Sequence, residues 1–228
     1  VMDQEIFQNT PLILAASEYI RSYTIRLGAP PERVKVLHPP LDISNFNTHL
    51  QKEREHLRAK MGFTPEDHVS LFVSFSHDRK GLDILLFAFR QMENQRFKLV
   101  VVGKPVAGSL PGNIISVGPQ QNLPEWYTLA DVCVHPARME PFGQVIAESL
   151  ACGTPVLISG NVGAKAIVQP QFGEIMDTLN PAIWAKAIKS LPGKNFKIPA
   201  DFGTQLQLDI ETHMQKMLSY WQATKSSK

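Results

Sequence analysis

The stretch that decides the fold is "DVCVHPARMEPFGQVIAESLACGTPVLIS", residues 131–159. It opens with a short apolar run, residues 131–136, and closes with another, residues 154–159, and both are typical of buried strands. Between them, residues 143–152 repeat apolar side chains at helical spacing, and Pro155 follows where that helix must stop. Strand, helix and strand in this order predict a parallel βαβ unit.

The same alternation extends through most of the chain. Five further apolar runs predict strands, at residues 12–17, 34–38, 69–75, 97–103 and 113–118. Five further segments with helical periodicity lie at residues 18–27, 48–61, 81–93, 124–130 and 181–190. We therefore expect an α/β fold with a Rossmann-like parallel sheet and helices on both of its faces.

The two ends of the chain are predicted to lie outside this sheet. Pro39-Pro40 breaks any regular element and indicates a linker. Residues 204–224 predict one C-terminal helix, and the tail "TKSSK" is expected to fray. An apolar stripe on that helix would dock on its own domain or cross to a neighbouring one; it consists of Leu206, Ile210, Met214, Met217, Leu218 and Trp221.

Composition excludes several classes of protein. The chain has 228 residues, of which 43% are hydrophobic and 19% charged, so a folded globular protein is expected rather than a disordered one. A net charge of +2 gives no argument for a nucleic-acid partner. No apolar run reaches the roughly 18 residues of a membrane span, and the polar first residues predict no signal peptide. Cys133 and Cys152 are predicted to be buried, unpaired thiols without metal-ligand spacing.

A basic turn follows the strand predicted at residues 69–75. In "SHDRKG", Arg79 and Lys80 stand next to Gly81, which permits close approach of the backbone. Loops at the carboxyl ends of parallel strands are where open α/β sheets bind ligands. Adjacent cations beside a helix N-terminus suit a diphosphate, although a solvated basic pair is the simpler alternative.

Two glutamates mark the loop and helix that follow residues 131–136. Glu140 precedes a Pro-Phe-Gly turn, and Glu148 lies on the helix. Carboxylates only accept hydrogen bonds, so both suit the vicinal hydroxyl groups of sugar rings. An anion placed between them would meet the free backbone N–H groups at the helix start, which belong to Phe142, Gly143, Gln144 and Val145.

Two alternatives remain open for these carboxylates. Glu148 could be a core helix residue paired with a buried cation. Glu140 and Glu148 could also form a glycosidase pair, which needs carboxyl groups about 5–9.5 Å apart; eight helical residues rise about 12 Å, which is unfavourable. A third glycine-bearing loop, with Gly160 and Gly163, should border the same crevice. No G-x-G-x-x-G fingerprint or Walker A pattern occurs, which argues against a dinucleotide site.

These motifs resemble the retaining glycosyltransferases of family 4, which have the two-domain GT-B fold. The form "SHDRKG" looks most like that of the bacterial lipopolysaccharide-core glucosyltransferases. The resemblance covers nearly the whole chain in order. It is carried by "SEYIRSYTIRLGAPPERVKVLHPPLDISNF", "LFVSFSHDRKGLDILLFAF", "FKLVVVGKP" and "LPEWYTLADVCVHPARMEPFGQVIAESLACGTPVLIS". By this resemblance, residues 1–42 are the end of the acceptor domain and the linker, residues 43–200 the donor domain, and residues 201–228 a C-terminal crossover helix and tail.

The resemblance also implies roles for individual residues. Arg79 and Lys80 would neutralise the leaving diphosphate, and Glu140 would contact the donor sugar as the third catalytic residue. Glu148 would bind the ribose hydroxyls. The remaining donor-binding positions would act through backbone groups, with Phe142, Gly143, Gln144 and Val145 near the phosphates and sugar and with Val117 and Gly118 at the base.

The same resemblance implies the partners. The donor would be a nucleotide sugar, such as UDP-glucose, and the acceptor a glycan or a lipid-linked saccharide. No metal and no other cofactor is expected, and the enzyme would be cytoplasmic, with peripheral contact at the inner face of the membrane in its full form. Because most of the acceptor domain is absent from the chain, we expect a polypeptide that binds the donor but does not transfer sugar, that is, a sugar-nucleotide-binding module.

This sequence departs from the family pattern at three places. Ser74-Phe75 stands where many members have Gly-Arg, so the cationic clamp depends on the basic turn alone. Residues 38–42, "HPPLD", replace the usual Asn-Gly-Val-Asp linker. Lys165 lies close to where a glutamate is common. These departures concern recognition of the sugar.

Overall fold

A computed structural model describes residues 2–226 of the chain and the side chains of residues 5–225. The strands are β1 (Ile13–Ala15), β2 (Val34–Val36), β3 (His68–Ser74), β4 (Phe97–Gly103), β5 (Ile114–Gly118), β6 (Val132–His135), β7 (Val156–Ser159) and β8 (Gly173–Met176). The helices are α1 (Met2–Asn9), α2 (Glu18–Arg26), α3 (Arg54–Lys60), α4 (His77–Lys80), α5 (Leu82–Arg90), α6 (Leu123–Leu129), α7 (Gln144–Ala151), α8 (Pro181–Ser190), α9 (Phe202–Gln205) and α10 (Ile210–Ser226). Short 3₁₀ turns occupy Pro31–Arg33, Thr48–Glu53 and Gly163–Ile167.

The main sheet has six strands in the order β5-β4-β3-β6-β7-β8, and every neighbouring pair is parallel. Its two faces bury separate apolar clusters. Within β3, Leu71 and Val73 belong to one cluster and Phe72 to the other, as the alternation of side chains along a strand requires. Two-sided burial explains why these strands are continuously apolar. The predicted fold class is confirmed.

A second, small parallel sheet pairs β1 with β2. Ala15, Ala29 and Val34 form its buried core, against which α2 also packs. The chain then crosses to the main sheet at Leu41, which is buried and forms an isolated bridge with Asp209. The segment predicted to end the acceptor domain therefore contacts the C-terminal part of the chain; its domain boundary stays a prediction.

The prediction of one C-terminal helix over residues 204–224 is wrong. The chain breaks between α9 and α10, where Gln207 adopts a positive φ of 52°. Leu208 is buried and its carbonyl accepts a hydrogen bond from the Leu41 amide at 2.6 Å, so tertiary packing overrides helical periodicity. The Asp209 carboxylate then accepts from the Thr212 amide at 2.8 Å, which is N-capping geometry for α10.

The apolar stripe predicted on this helix is largely solvent-exposed. Ile210, Met214, Leu218 and Trp221 have exposed fractions of 54%, 43%, 47% and 51%, whereas Leu206 precedes the break and packs against the core. The stripe thus does not dock on the described part of its own domain. Residues 224–226 of the tail are helical, and residues 227–228 lie outside the described residues.

Other elements differ in detail from the sequence predictions. The strand β8 and the helix α1 were not predicted, and the helix predicted over residues 48–61 begins as a 3₁₀ turn. Cys133 and Cys152 are buried and unpaired, as predicted. In residues 2–226 no helix is long and apolar enough to cross a membrane.

We expect Gly81→Ala to destabilise the protein far more than Gly62→Ala. Both glycines have positive φ, at 78° and 80°, so an alanine at either costs roughly 1 kcal/mol of backbone strain. An added Cβ at Gly81 would lie 2.1 Å from the Pro136 carbonyl oxygen, whereas nothing lies within 4 Å of a Cβ at Gly62. Overpacking adds about 1–3 kcal/mol. Urea unfolding of the two variants would measure the difference, and equal losses would contradict the close approach.

Candidate active site

The site lies where the loops after β3, β6 and β7 meet at the carboxyl edge of the main sheet. Because all strands are parallel, their carboxyl ends share this edge, and the sheet brings distant motifs together. The loop after β6 is bonded to the loop after β7 on both sides of Glu140. The Glu140 amide donates to the Asn161 carbonyl at 3.1 Å, and the Gly163 amide donates to the Glu140 carbonyl at 2.9 Å.

The loops after β3 and β6 are also tied together. The Arg138 amide donates to the Arg79 carbonyl, and the Arg79 guanidinium donates to the Met139 carbonyl, both at 2.9 Å. Arg138 in turn forms a two-pronged ion pair with Asp83 on α5, at 2.7 and 2.8 Å. Together with the close approach of Gly81 to Pro136, these bonds fix where the basic turn stands relative to the glutamate.

Glu140 is the centre of a compact charged cluster. Its Oε2 lies 3.1 Å from Arg79, 3.7 Å from Lys80 and 3.6 Å from His135 Nε2, and the Glu140 side chain is only 10% exposed. Burial alone would raise the pKa of the Glu140 carboxyl group. The neighbouring imidazole of His135 and the charges of Lys80 and Arg79 outweigh burial, so the pKa is lowered. Glu140 is therefore a carboxylate at neutral pH.

His135 is the residue of this cluster that the sequence analysis missed. It ends β6, is fully buried, and neither of its ring nitrogens has a hydrogen-bond partner among the described residues. Burial lowers the pKa of its imidazole, which keeps the ring neutral. The available signal was a single polar residue at the carboxyl end of an otherwise apolar parallel strand, just before Pro136.

The start of α7 forms the next part of the site. Gly143 precedes the helix with a φ of 97°, and no side chain caps it. The amides of the four predicted donor-binding residues at this turn have no acceptor within the described part of the chain: Phe142, Gly143, Gln144 and Val145. Such uncapped N–H groups carry partial positive charge and favour an anion. The Gln144 side chain points away to the linker, where it donates to the Pro40 carbonyl at 2.5 Å.

Glu148 lies one turn after the start of α7, and a hydrogen bond from a tyrosine holds its side chain. The Tyr127 hydroxyl donates to Glu148 Oε2 at 2.7 Å. Burial raises the pKa of the Glu148 carboxyl group, and the bond from Tyr127 only partly offsets that effect. Among the described residues no cation lies within ion-pairing distance of Glu148, so the alternative of a directly paired buried cation is not observed.

Val117 and Gly118 lie apart from this cluster. They are the last residues of β5 itself, rather than part of the loop after it, and β4 separates them from β3. The Gln120 side chain donates to the Val117 carbonyl at 2.9 Å, and a Cβ at Gly118 would meet nothing within 4 Å. The same edge of the sheet carries them, but they do not contact the charged cluster.

The glycine loop after β7 closes against the loop that carries Glu140. A Cβ on Gly163 would lie 2.0 Å from the Pro141 carbonyl oxygen, so only glycine fits there. Lys165, which stands near the usual glutamate, donates to the Gly160 carbonyl at 2.8 Å. Among the residues that the structure describes, no three histidine, cysteine or carboxylate side chains form a group that could hold a metal ion.

Comparison with known structures identifies the fold class. The chain superimposes on Anabaena Alr3699/HepE in complex with UDP with a TM-score of 0.81 at 22% identity, covering 94% of this chain and 64% of that one. Sucrose-phosphate synthase from Thermosynechococcus elongatus gives a TM-score of 0.83 at 22% identity, covering 99% and 61%. The fold is that of the GT-B glycosyltransferases.

Residues 53–205 match the family described as "Glycosyl transferases group 1", and the chain belongs to this family. It is 32% identical over 189 residues to a D-inositol 3-phosphate glycosyltransferase of Catenulispora acidiphila, covering 72% of this chain and 44% of the relative. A protein of the same description from Streptosporangium roseum is 33% identical over 204 residues, covering 79% and 45%. The chain thus spans less than half the length of these curated relatives.

Family membership and the expected lipopolysaccharide-core character are separate matters. WaaG, whose structure is described as a glycosyltransferase involved in lipopolysaccharide biosynthesis, gives a TM-score of 0.63 at 19% identity, covering 85% of this chain and 60% of that one. This likeness concerns the fold alone. The curated relatives with substantial identity carry a different description, so closeness to the lipopolysaccharide-core branch is not confirmed.

The two glutamates should affect stability with opposite pH dependence. The pKa of Glu140 is lower in the folded protein than its ordinary value of 4.5, so the unfolded state binds more protons. Its contribution to stability is present above pH 4.5 and is lost as the pH falls through the folded pKa. The pKa of Glu148 is raised above 4.5, so the folded state binds more protons. The stability that this contributes is present below pH 4.5 and is lost as the pH rises through the folded pKa.

Urea unfolding of the wild type, Glu140→Gln and Glu148→Gln between pH 3 and 8 would test this. The free energy of unfolding of the wild type minus that of Glu140→Gln should grow with pH on the acid side of 4.5. The free energy of unfolding of the wild type minus that of Glu148→Gln should shrink as the pH rises above 4.5. Slopes of the same sign for both variants would contradict the opposite environments of the two carboxyl groups.

Proposed function

We propose that this chain is the donor-binding part of a retaining, metal-independent glycosyltransferase that uses a UDP-sugar. The observation that supports this best is the arrangement around Glu140: a buried carboxylate contacts Arg79 and Lys80 directly beside the uncapped start of α7. An anionic acceptor for sugar hydroxyls, two cations and a set of free amides are the groups that a sugar diphosphate requires.

Arg79 and Lys80 have the chemistry to stabilise the leaving diphosphate. Both cations are held near Glu140 by ion pairing, and Arg79 also by its hydrogen bond to the Met139 carbonyl, so they need little reorganisation when charge develops on the departing phosphate. The amides at Gly143, Gln144 and Val145 add the partial charge of the helix start. When a reaction places negative charge on its leaving group, preorganised cations and N–H groups usually make the largest single contribution to the rate enhancement.

Glu140 and Glu148 would bind hydroxyl groups at the two ends of the donor. The pKa of Glu140 is lowered, so it is available as a charged acceptor for the sugar. Glu148 is oriented by Tyr127 through one oxygen, which leaves the other oxygen for a ribose hydroxyl. Val117 and Gly118, on β5, would hold the base through backbone groups.

The choice of UDP rests on fold comparisons. Solved structures with the same fold include Alr3699/HepE in complex with UDP and in complex with UDP-glucose. We propose glucose or a similar hexose as the sugar and a glycan or lipopolysaccharide-core saccharide as the acceptor.

The acceptor would be bound by an N-terminal domain, and a cytoplasmic enzyme with peripheral membrane contact would suit a lipid-linked acceptor. The nucleotide sugar is the substrate, and no cofactor is proposed.

The glycosidase alternative has less support. Carboxyl groups with pKa values displaced in opposite directions are the pattern of an acid/base pair. Each of them, however, has a partner of another kind: Glu140 contacts two cations, and Glu148 accepts from a phenol. The family assignment favours transfer over hydrolysis.

Calorimetric titration should separate the roles of the two glutamates. Glu148→Ala should weaken UDP and UDP-glucose alike, by about ten- to one-hundred-fold, because a hydrogen bond to a charged group contributes about 1.5–3 kcal/mol. Glu140→Ala should weaken UDP-glucose but leave UDP affinity unchanged or higher, because the removal of the carboxylate frees Arg79 and Lys80 for phosphate. Equal losses of both ligands in Glu140→Ala would contradict this division.

The isolated chain should bind the donor without turning it over. UDP release from UDP-glucose should be no faster with the wild-type chain than with Glu140→Gln, because the residues that would bind and orient an acceptor belong to the proposed N-terminal domain. A coupled assay for UDP, with and without saccharide acceptors, would measure this. Robust turnover by the wild-type chain would overturn the proposal that it is a binding module on its own.

A further inference from the structure

Three contacts reach the donor loop, residues 140–144, from outside residues 43–200, which the sequence predicts as the donor domain. Each contact comes from the N-terminal segment, residues 13–42. The partners within the donor loop are Pro141, Phe142 and Gln144, so the loop is contacted along its length.

The first contact is a buried hydrogen bond. The Ser17 hydroxyl, which is fully buried at the start of α2, donates to the Pro141 carbonyl at 2.6 Å. The same hydroxyl accepts from the Ile20 amide at 3.3 Å, so Ser17 joins the helix cap to the donor loop. A Cβ on Gly163 would lie 2.5 Å from Ser17 Oγ, which shows how closely three segments meet here.

The second contact is a ring stack in the linker. The His38 imidazole lies 5.1 Å from the Phe142 ring, centroid to centroid, at an interplanar angle of 29°. The position of His38 is itself fixed, because its Nδ1 lies 2.9 Å from the Ala16 carbonyl and its own carbonyl lies 2.9 Å from His213 Nδ1 on α10. Phe142 is buried, and the stack with His38 is part of the packing that holds its ring.

The third contact holds the first residue of α7. Gln144 donates through its side-chain amide to the Pro40 carbonyl at 2.5 Å, while its Oε1 is buried and has no partner among the described residues. Gln144 also contributes one of the free amides at the helix start. A displacement of the linker would therefore move the amides that face the proposed phosphate position.

We propose that His38 is a positioning residue for the donor loop, and that the linker sets donor affinity by stacking on Phe142. This inference rests on the proposed function and adds to it a residue that touches neither the sugar nor the phosphates. Since α10 is bonded to the same linker residue through His213, the conformation of the linker and of the C-terminal helix would be coupled to nucleotide binding. Residues that act through packed contacts of this kind change coupling by about two- to thirty-fold.

The test is UDP affinity by calorimetry, with the free energy of unfolding measured in parallel on the same 228-residue chain. His38→Ala should raise the Kd for UDP about three- to tenfold. His38→Phe should restore the Kd to within about twofold, because it keeps the ring stack and loses only the bond to Ala16. His49→Ala is the matched control, since His49 is exposed and its ring makes no contact with the donor loop; its Kd should equal the wild-type value.

A double-mutant cycle with Phe142→Leu tests whether the effect passes through the stack. In that background, His38→Ala should add less than about twofold to the Kd. Three results would overturn the inference: an unchanged Kd in His38→Ala, a loss that His38→Phe does not rescue, or full additivity in the cycle. If the wild-type chain fails to bind UDP at all, the proposed function falls together with the inference, whereas the other results leave the proposed function standing.

Discussion

The burial of one carboxylate, that of Glu140, constrains everything around it. A charged group removed from water must be compensated by nearby opposite charge and hydrogen bonds, or it gains a proton instead. Here the compensation comes from the loop after β3, through Arg79 and Lys80, while backbone bonds from the loop after β7 hold the main chain at Asn161 and Gly163. Three loops that are far apart in sequence therefore converge, and the parallel sheet allows it because it directs all their starting points to one edge.

The convergence also explains why the two glutamates of α7 and its preceding loop differ chemically. Cations surround Glu140, so its pKa is lowered although it is buried. Glu148 is half-buried against a phenol, whose single hydrogen bond does not outweigh desolvation, so its pKa is raised. The two glutamates, eight residues apart, thus have pKa values shifted in opposite directions, and between them lies the uncapped start of the helix. An elongated ligand with hydroxyl groups at both ends and negative charge between them matches this order.

Much of this could be predicted from sequence because the deciding signals are local. Apolar runs, helical periodicity and the "EPFGQVIAE" motif lie within short windows, and they gave the sheet, the cation pair and both glutamates. The rest depends on contacts distant in sequence. His135 looks like any residue that ends a strand until the fold places Glu140 beside it. The helix break at Gln207 is set by the bonding of Leu208 to Leu41, which no periodicity records. The edge strand β8 begins with Gly173 and Glu174, so it has no continuous apolar run.

The contacts of the donor loop also join residues that are distant in sequence, so sequence patterns did not predict them. The sequence separates a linker from a donor domain at Pro39-Pro40, and that division suggests that nucleotide binding belongs to residues 43–200 alone. In the structure, His38 stacks on Phe142, and the Pro40 carbonyl accepts from Gln144 at the start of α7. The proposed binding of a phosphate by the loop amides needs precise positioning, so it is sensitive to whatever packs behind the loop. The geometry of the proposed donor site therefore depends on residues on both sides of Pro39-Pro40, and residues 43–200 by themselves would lack these contacts from Ser17, His38 and Pro40.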